Sequence, residues 1–311
     1  MRGIRITATG RALPGKIVTN EEMSRMVDTT DEWIRTRTGI GQRHICKEES
    51  CTGLAIEAAK KAMEKAGIDG NEVEAIIVAT VTPEFAFPST ACMVQKALDF
   101  PEDILAFDIS AGCTGFLYGL GIARGLLLAG RKKYVLVVGA EQLSKIMDFT
   151  DRSTCVLFGD GAGAAVIELT DKPFFYRAWS AGEAGPLNCP GVGNDGAHLH
   201  MEGNQVFKFA VKAITQGVET LLEDADLSME EIDYVVCHQA NRRIIDHVKK
   251  KYEGTKAEFY MNMEYYANTS AASIPIALDE MGEKRLLKPG MKIICVGFGA
   301  GFTWSSALLT I

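Results

Sequence analysis

Three residues spread along the 311-residue chain, Cys113, His238 and Asn268, are of types that can do chemistry together: a thiol that can act as a nucleophile and two side chains that can hydrogen-bond. Cys113 follows the apolar run ILAFDIS through the small residues Ala111 and Gly112, and precedes the almost uniformly apolar GFLYGLGIARGLLLAG. That order predicts a buried strand, a tight turn and a core helix, with the thiol at a helix N-terminus. There unpaired N–H groups and the helix dipole favour thiolate. His238 ends the run DYVVCH, where a strand leaves the sheet at the edge at which doubly wound sheets bind ligands. Asn268 opens NTSAASIP, ahead of a helix. Taken singly, each has a structural alternative: a core cysteine, a satisfied core histidine and a helix cap. Taken together they form a Cys/His/Asn set.

The elements that must position this set are legible as apolar runs of strand length at residues 75–79, 104–109, 134–138, 164–169, 233–237, 292–296 and 305–311. They are continuous rather than alternating, as in sheets covered on both faces. Helical patterns separate several of them, such as residues 54–66 closed by Gly67, so an α/β layered fold is expected. A weak internal repeat lays EAAKKAMEKAGIDGNEVEAIIVAT, from Glu57, over GVETLLEDADLSMEEIDYVVCHQ, from Gly217. A second echo pairs GRKKYVLVVGAE with PGMKIICVGFGA. Two related halves with a site between them are therefore expected, at residues 1–170 and 171–311.

Composition narrows the functional classes. With 47% hydrophobic and 23% charged residues the chain reads as an ordinary soluble globular protein. Its net charge of −7 argues against general nucleic-acid binding, which needs phosphates neutralised by Lys and Arg. Met1 leads directly into a strand-like segment without a signal-peptide pattern, and residues 114–129 read as a core helix rather than a membrane span, so a cytoplasmic location is expected. The eight cysteines include no C-x-x-C pair, and reduced thiols are the expectation in that compartment. His198 and His200 near Cys189, and His44 near Cys46 and Cys51, lack the ligand count and spacing of a zinc site. GDGAGAA, from Gly159, lacks the Walker Lys and the dinucleotide signature and reads as tight packing. No metal is expected.

In chain order, DEWIRTRTGI, FAFPSTAC, SAGCTGF, DRSTCVLFGDGAGAA, VCHQANRRI, ANTSAASIP and FGAGFTW resemble the β-ketoacyl-acyl carrier protein synthase III family, almost from end to end. The resemblance implies a thiolase-like, duplicated αβαβα fold, a homodimer, and no cofactor beyond the CoA thioester and phosphopantetheine-bound malonyl substrates. It implies that Cys113 takes the acyl group from an acyl-CoA primer. His238 and Asn268 then hold the thioester carbonyl of malonyl-acyl carrier protein during decarboxylation, and the backbone N–H groups of Cys113 and Ala300 hold the later oxyanion. Trp33, Arg37 and Arg152 match residues that sandwich adenine and contact the nucleotide. Gly203, Phe207, Ala210 and Asn241 match the lining of the pantetheine arm. Phe87 resembles a residue reaching into the partner's acyl pocket, and Phe298 a gate beside the cysteine. Lys208, Arg243, Lys250 and Lys251 are the expected docking cations for an acidic carrier protein, with a solvated helix face as the alternative.

Three positions depart from the family pattern: Ala300 and Ala267 stand where Gly is usual, and Gly112 replaces a common Ala. The rival functional readings are a related synthase of a specialised quinolone or polyketide-type pathway and, less favoured with the Cys/His/Asn set intact, a non-catalytic thiolase-fold binding protein.

Overall fold

Residues 2–191 and 198–311 are described in a computed structural model of the chain. One sheet contains β1 (Gly3–Ala12), β2 (Val73–Ala79), β3 (Leu105–Ile109), β4 (Tyr134–Glu141) and β5 (Gly161–Thr170). The other contains β6 (Phe175–Glu183), β7 (Tyr234–Cys237), β8 (Glu258–Phe259), β9 (Lys292–Gly299) and β10 (Gly301–Thr310). Neighbours run β3-β2-β4-β5-β1 in the first and β8-β7-β9-β10-β6 in the second, the same third-second-fourth-fifth-first order. Strand senses agree as well: the second strand is parallel to the third and fourth, and the fifth is antiparallel to the fourth and first.

The connecting helices repeat this order: α2 (Cys51–Ala66), α3 (Thr90–Ala97) and α4 (Gly115–Ala129) in the first sheet's course, and α5 (Gly203–Ala225), α6 (Arg242–Lys249) and α7 (Ser273–Glu283) in the second's; α1 (Asp31–Thr38) precedes them all. The repeat extends to the caps. Helix α2 ends at Gly67 with φ 64° and leads into a turn closed by an Asp69/Glu72 capping box. Helix α5 ends at Asp226 with φ 52° and leads into one closed by Ser228/Glu231. Both use the left-handed conformation to stop a helix and reciprocal caps to start the following short turn. The same carboxylate device follows: Glu74 accepts from the N–H groups of Arg131 and Lys132, and Asp233 from that of Lys292.

Five layers result. Helix α2 covers the outer face of the first sheet, α5 and α6 cover that of the second, and α4 and α7 lie between the sheets. The middle layer buries Leu117, Leu120, Ile274 and Leu278 against Ile77, Val137 and Ile293. Truncating any of these leucines is expected to cost about 2–5 kcal/mol. Helix α4 is apolar enough to pass a length-and-composition test for a membrane span over Gly112–Ala129, and it packs on strands of both sheets. Asp279 of α7 joins the two courses through Arg11 at 2.7 Å, Lys65 at 2.6 Å and Thr9 at 3.0 Å.

All seven expected runs are strands. Two further strands of these sheets escaped the sequence reading, as did the short pairs Ile17–Thr19 with Gln42–His44 and Leu187–Asn188 with His200–Met201. β6 is an edge strand whose burial follows no alternation, and β8 is two residues long.

Candidate active site

A cavity of about 840 Å³ opens where the two sheets meet, lined by Cys113, His238 and Asn268 together with Ser270, Phe298 and Ala300. Residues separated by more than a hundred positions in sequence converge because each ends a strand or starts a middle-layer helix. Cys113 lies in the 3-10 turn Gly112–Thr114 between β3 and α4. Gly112 takes φ 52°, a conformation that favours glycine. The end of β9 presses against this turn: a Cβ on Gly299 would stand 3.0 Å from the Cys113 nitrogen. Gly299 thereby lets the Ala300 nitrogen come within 3.6 Å of the place a Gly112 Cβ would occupy.

Helix α4 begins at Gly115, after the turn that holds Cys113, and burial pushes the thiol up to about 12. The Ser270 hydroxyl and the cysteine's own N–H work against that rise, while the Glu141 charge adds to it. Desolvation thus works against the helix-start effect on the thiol.

His238 leaves β7 with 1% exposure, and burial lowers its pKa to about 3, so the ring is neutral at physiological pH. Its Nδ1 lies 2.7 Å from Ser273 Oγ, which also accepts the Gln239 N–H at 3.3 Å. The Phe298 ring stands edge-on to the imidazole, centroids 5.2 Å apart. Asn268 is buried, and its Oδ1 accepts the Ser270 N–H at 2.9 Å. That bond occupies the amide oxygen and turns the NH₂ end away from it. Ser273 was not singled out from sequence, although it lies in the quoted NTSAASIP; its role as the partner of His238 shows only in the fold.

The other expected residues divide by place. Gly203, Phe207 and Asn241 line the cavity beside α5 and α6, whereas Ala210 is fully buried behind it and does not line it. This corrects Ala210 from lining to support, because it is on the face of α5 that packs into the core. The guanidinium groups of Arg37 and Arg152 stand 5.0 Å and 4.8 Å from the Trp33 ring centroid, away from the cavity wall. Phe87 is 86% exposed and does not line the cavity. Arg243 and Lys208 are exposed, and Lys251 is paired with Glu219. Lys250 closes α6 with a helical backbone, φ −55° and ψ −31°, its N–H bonded to the Asp246 carbonyl, seven residues on from Arg243. Ala300 keeps an ordinary φ, the positive φ of 117° falling on Gly301. Ala267 instead takes φ 56°, ψ −155°, a region used almost only by glycine. Among the described residues no three His, Cys, Asp or Glu side chains converge as a metal site.

Comparisons with known proteins agree with this geometry. Residues 107–180 match the family model for 3-oxoacyl-[acyl-carrier-protein] synthase III, and residues 222–311 match the model for its C-terminal region. The β-ketoacyl-[acyl-carrier-protein] synthase III of Clostridium novyi is 46% identical, covering 99% of both chains. The crystal structure of 3-oxoacyl-[acyl-carrier-protein] synthase III from Aquifex aeolicus is 43% identical and superposes with a TM-score of 0.93, covering 99% of this chain and 100% of that one. The priming β-ketosynthase of the R1128 polyketide pathway is 33% identical with a TM-score of 0.93, covering 100% of this chain and 96% of that one. With its duplicated thiolase-like fold, this chain belongs to the β-ketoacyl-acyl carrier protein synthase III family.

Proposed function

We propose that this chain initiates fatty acid synthesis by loading an acyl-CoA primer on Cys113 and condensing it with malonyl-acyl carrier protein, with loss of carbon dioxide. The observation that carries this reading is the convergence of Cys113, His238 and Asn268 on one cavity. Attack of Cys113 sulfur on the primer thioester expels CoA and leaves an acyl-cysteine. Loss of carbon dioxide from the malonyl thioester then places charge on its carbonyl oxygen, and donors aimed at that oxygen lower the barrier. In this reading Ser273 offers its proton to His238 Nδ1, the tautomer that leaves Nε2 with a proton toward the cavity. Asn268, its oxygen engaged by Ser270, offers its NH₂. The resulting carbanion attacks the acyl-cysteine carbonyl, whose oxyanion is received by the N–H groups of Cys113 and Ala300.

Gly203, Phe207 and Asn241 supply the walls for the pantetheine arm, while Trp33 with Arg37 and Arg152 supplies a cationic and aromatic platform for the nucleotide. Arg243 and Lys208 flank Asn241 and Phe207 in sequence and give the cavity mouth a positive rim for an acidic carrier protein, with Lys250 and Lys251 farther along. The apolar edge strand β3, with Leu105 half exposed, is the surface offered for a homodimer, together with the exposed Phe85 and Phe87. Across it Phe87 reaches the partner's acyl pocket. A cytoplasmic location completes this reading.

Mixing the protein with acetyl-CoA and longer primers, then weighing the intact chain, tests the proposal: an acyl adduct lost in Cys113→Ser supports it, and no adduct with any primer overturns it. A specialised synthase is the second reading, favoured by the fold shared with the R1128 enzyme. Its primer would be chosen by Leu143, Ile146, Leu157 and Leu199 in the cavity wall, and a panel of primers with malonyl-acyl carrier protein separates the two.

A further inference from the structure

The two backbone donors assigned to the acyl oxygen belong to different courses of the fold. The Cys113 N–H sits on the turn Gly112–Thr114, ahead of the first course's middle-layer helix. The Ala300 N–H sits at the tip of the hairpin that joins β9 to β10 in the second. Among the described residues neither N–H is taken up by a backbone carbonyl. Two donors serve one oxygen only while their separation is held, and a hairpin tip is by itself a weakly restrained part of a sheet.

A chain of hydroxyls restrains this one. Thr303 pairs with Gly299 across the hairpin, so the residues between them form the tip. Thr303 Oγ1 donates to the Ala300 carbonyl at 2.9 Å. Thr114, the residue after the cysteine, places its own Oγ1 2.9 Å from Thr303 Oγ1 and 3.2 Å from the Thr303 carbonyl, joining residues 189 positions apart. With the Thr303 proton on Ala300, the Thr114 proton is the one given to Thr303. Thr114 is fully buried, where an unpaired hydroxyl would be costly, while Thr303 lines the cavity beside Ala300. Packing aims the chain. Gly301 turns the tip at φ 117°, and a Cβ on it would stand 2.8 Å from Thr303 Cγ2, so the Thr303 methyl is seated there and its hydroxyl is left to face Ala300. A Cβ on Gly297 would stand 3.5 Å from the Thr114 Cα, so β9 runs directly along the cysteine turn. On the other flank of the tip Phe302 stacks on Phe209 of α5, ring centroids 4.0 Å apart.

We propose that Thr114 and Thr303 are positioning residues of the acyl site: their hydroxyl chain ties the hairpin tip to the cysteine turn and so sets the Ala300 N–H against the Cys113 N–H. The inference rests on the condensing-enzyme reading and deepens it. Both residues act through the backbone rather than on the substrate. Two steps use the paired donors. When Cys113 sulfur attacks the primer thioester, the carbonyl opens to an oxyanion, then closes as the C–S bond breaks and its electron pair leaves on CoA sulfur. When the carbanion attacks acyl-cysteine, the same oxygen takes the charge again, and the pair leaves on Cys113 sulfur. Decarboxylation of the malonyl thioester charges a different oxygen, the one served by His238 and Asn268, and draws nothing from the hydroxyl chain. The chain therefore governs acyl transfer to and from the cysteine, and not the thiol itself.

Comparing acylation of Cys113 by acetyl-CoA, in rapid-quench experiments without extender, with its alkylation by iodoacetamide tests this role, both read on the Cys113 peptide by mass spectrometry. Alkylation is displacement at a saturated carbon and builds no oxyanion, so it reports the thiol without the donors. Thr303→Val keeps the side chain's shape and removes its hydroxyl. It should slow loading about 10- to 100-fold at saturating acetyl-CoA while alkylation keeps the wild-type rate. Thr303→Ser should restore most of the loading rate. Thr114→Val should give a loss of the same kind, and the two Val substitutions together should lose no more than the larger single one, as members of one chain do. Loading of Thr303→Val at the wild-type rate overturns the proposal, and so does an equal slowing of acylation and alkylation, the mark of a displaced thiol. Should Thr303→Val fail to fold, Thr114→Val carries the same test with the same outcomes. A wild-type protein that is alkylated but loads no primer sinks the condensing-enzyme reading itself, whereas normal wild-type loading beside an indifferent Thr303→Val sinks only the positioning role.

Discussion

At equivalent points of the two courses, the first carries Ala79 and Gly115 where the second carries His238 and Ser273. Each pair joins the end of a sheet's second strand to the first residue of a middle-layer helix. In the first, a Cβ on Gly115 would stand 2.7 Å from that of Ala79, so strand and helix touch with nothing between them. In the second, the same junction holds an imidazole and a hydroxyl 2.7 Å apart. The preceding turns reverse the assignment. Gly112 and Ser270 both open a 3-10 turn with positive φ, 52° and 49°, and the next residue is Cys113 in one and Ala271 in the other. The fourth strands diverge too, one ending in the buried acid Glu141 and the other in Gly299 ahead of Ala300. Duplication thus supplies two similar turns facing one cavity, and function fills them unequally. Where one copy carries a reactive group, its counterpart is small, and the small residue lets the reactive one approach.

Removing the nucleophile breaks this division most severely: Cys113→Ala should abolish the acyl adduct in intact-mass measurements and with it the whole covalent route. His238→Ala and Asn268→Ala should leave the adduct intact but slow condensation by about 10²–10³ each, read in single-turnover assays with malonyl-acyl carrier protein. Ser273→Ala should give a smaller loss in the same assay, since it disturbs only the imidazole's tautomer and aim. Normal condensation by Asn268→Ala would reduce that residue to a helix cap.

Stability against pH separates the halves in another way. His238 has a folded pKa of about 3 against an ordinary value of 6.5, so the unfolded chain binds its proton first and this stability is lost as pH falls from about 6.5 toward 3. Burial gives Glu141, at the end of β4, a folded value of about 7 against 4.5, so its contribution is present below 4.5 and lost as pH rises through about 7. Between pH 4.5 and 6.5 the two slopes, each at most about 1.4 kcal/mol per pH unit, oppose each other. Chemical denaturation of His238→Asn should therefore show stability falling with pH in that window, and of Glu141→Gln stability rising; parallel slopes would refute the burial argument for both.

Smaller effects probe the silent positions. Gly115→Ala should cost about 1–3 kcal/mol, because the Ala79 methyl cannot yield without moving β2. Ala267→Gly should raise stability by about 1 kcal/mol, the relief of its left-handed φ exceeding the added freedom of the unfolded chain. A lower melting temperature for Ala267→Gly would show that the backbone there bears little strain.

By itself the sequence determined the strands covered on both faces, the repeat between the segments at Glu57 and Gly217, and the Cys/His/Asn set. Each of these is written locally, in continuous apolar runs, capping residues and motifs. It did not show how strongly the Cys113 thiol is desolvated, because the local signal there is a helix start whereas burial is set by chains distant in sequence. Thr114 and Thr303 also went unnoticed, since SAGCTGF and FGAGFTW carry them as small polar residues among glycines. Their pairing exists only once the cysteine turn and the tip of the β9–β10 hairpin are brought together. Likewise Ala210, matched by resemblance to the pantetheine lining, lies on the face of α5 that turns to the core. Local pattern settles which elements form; which side chains lose water, and against whom, is settled only by packing the two sheets around one layer of helices.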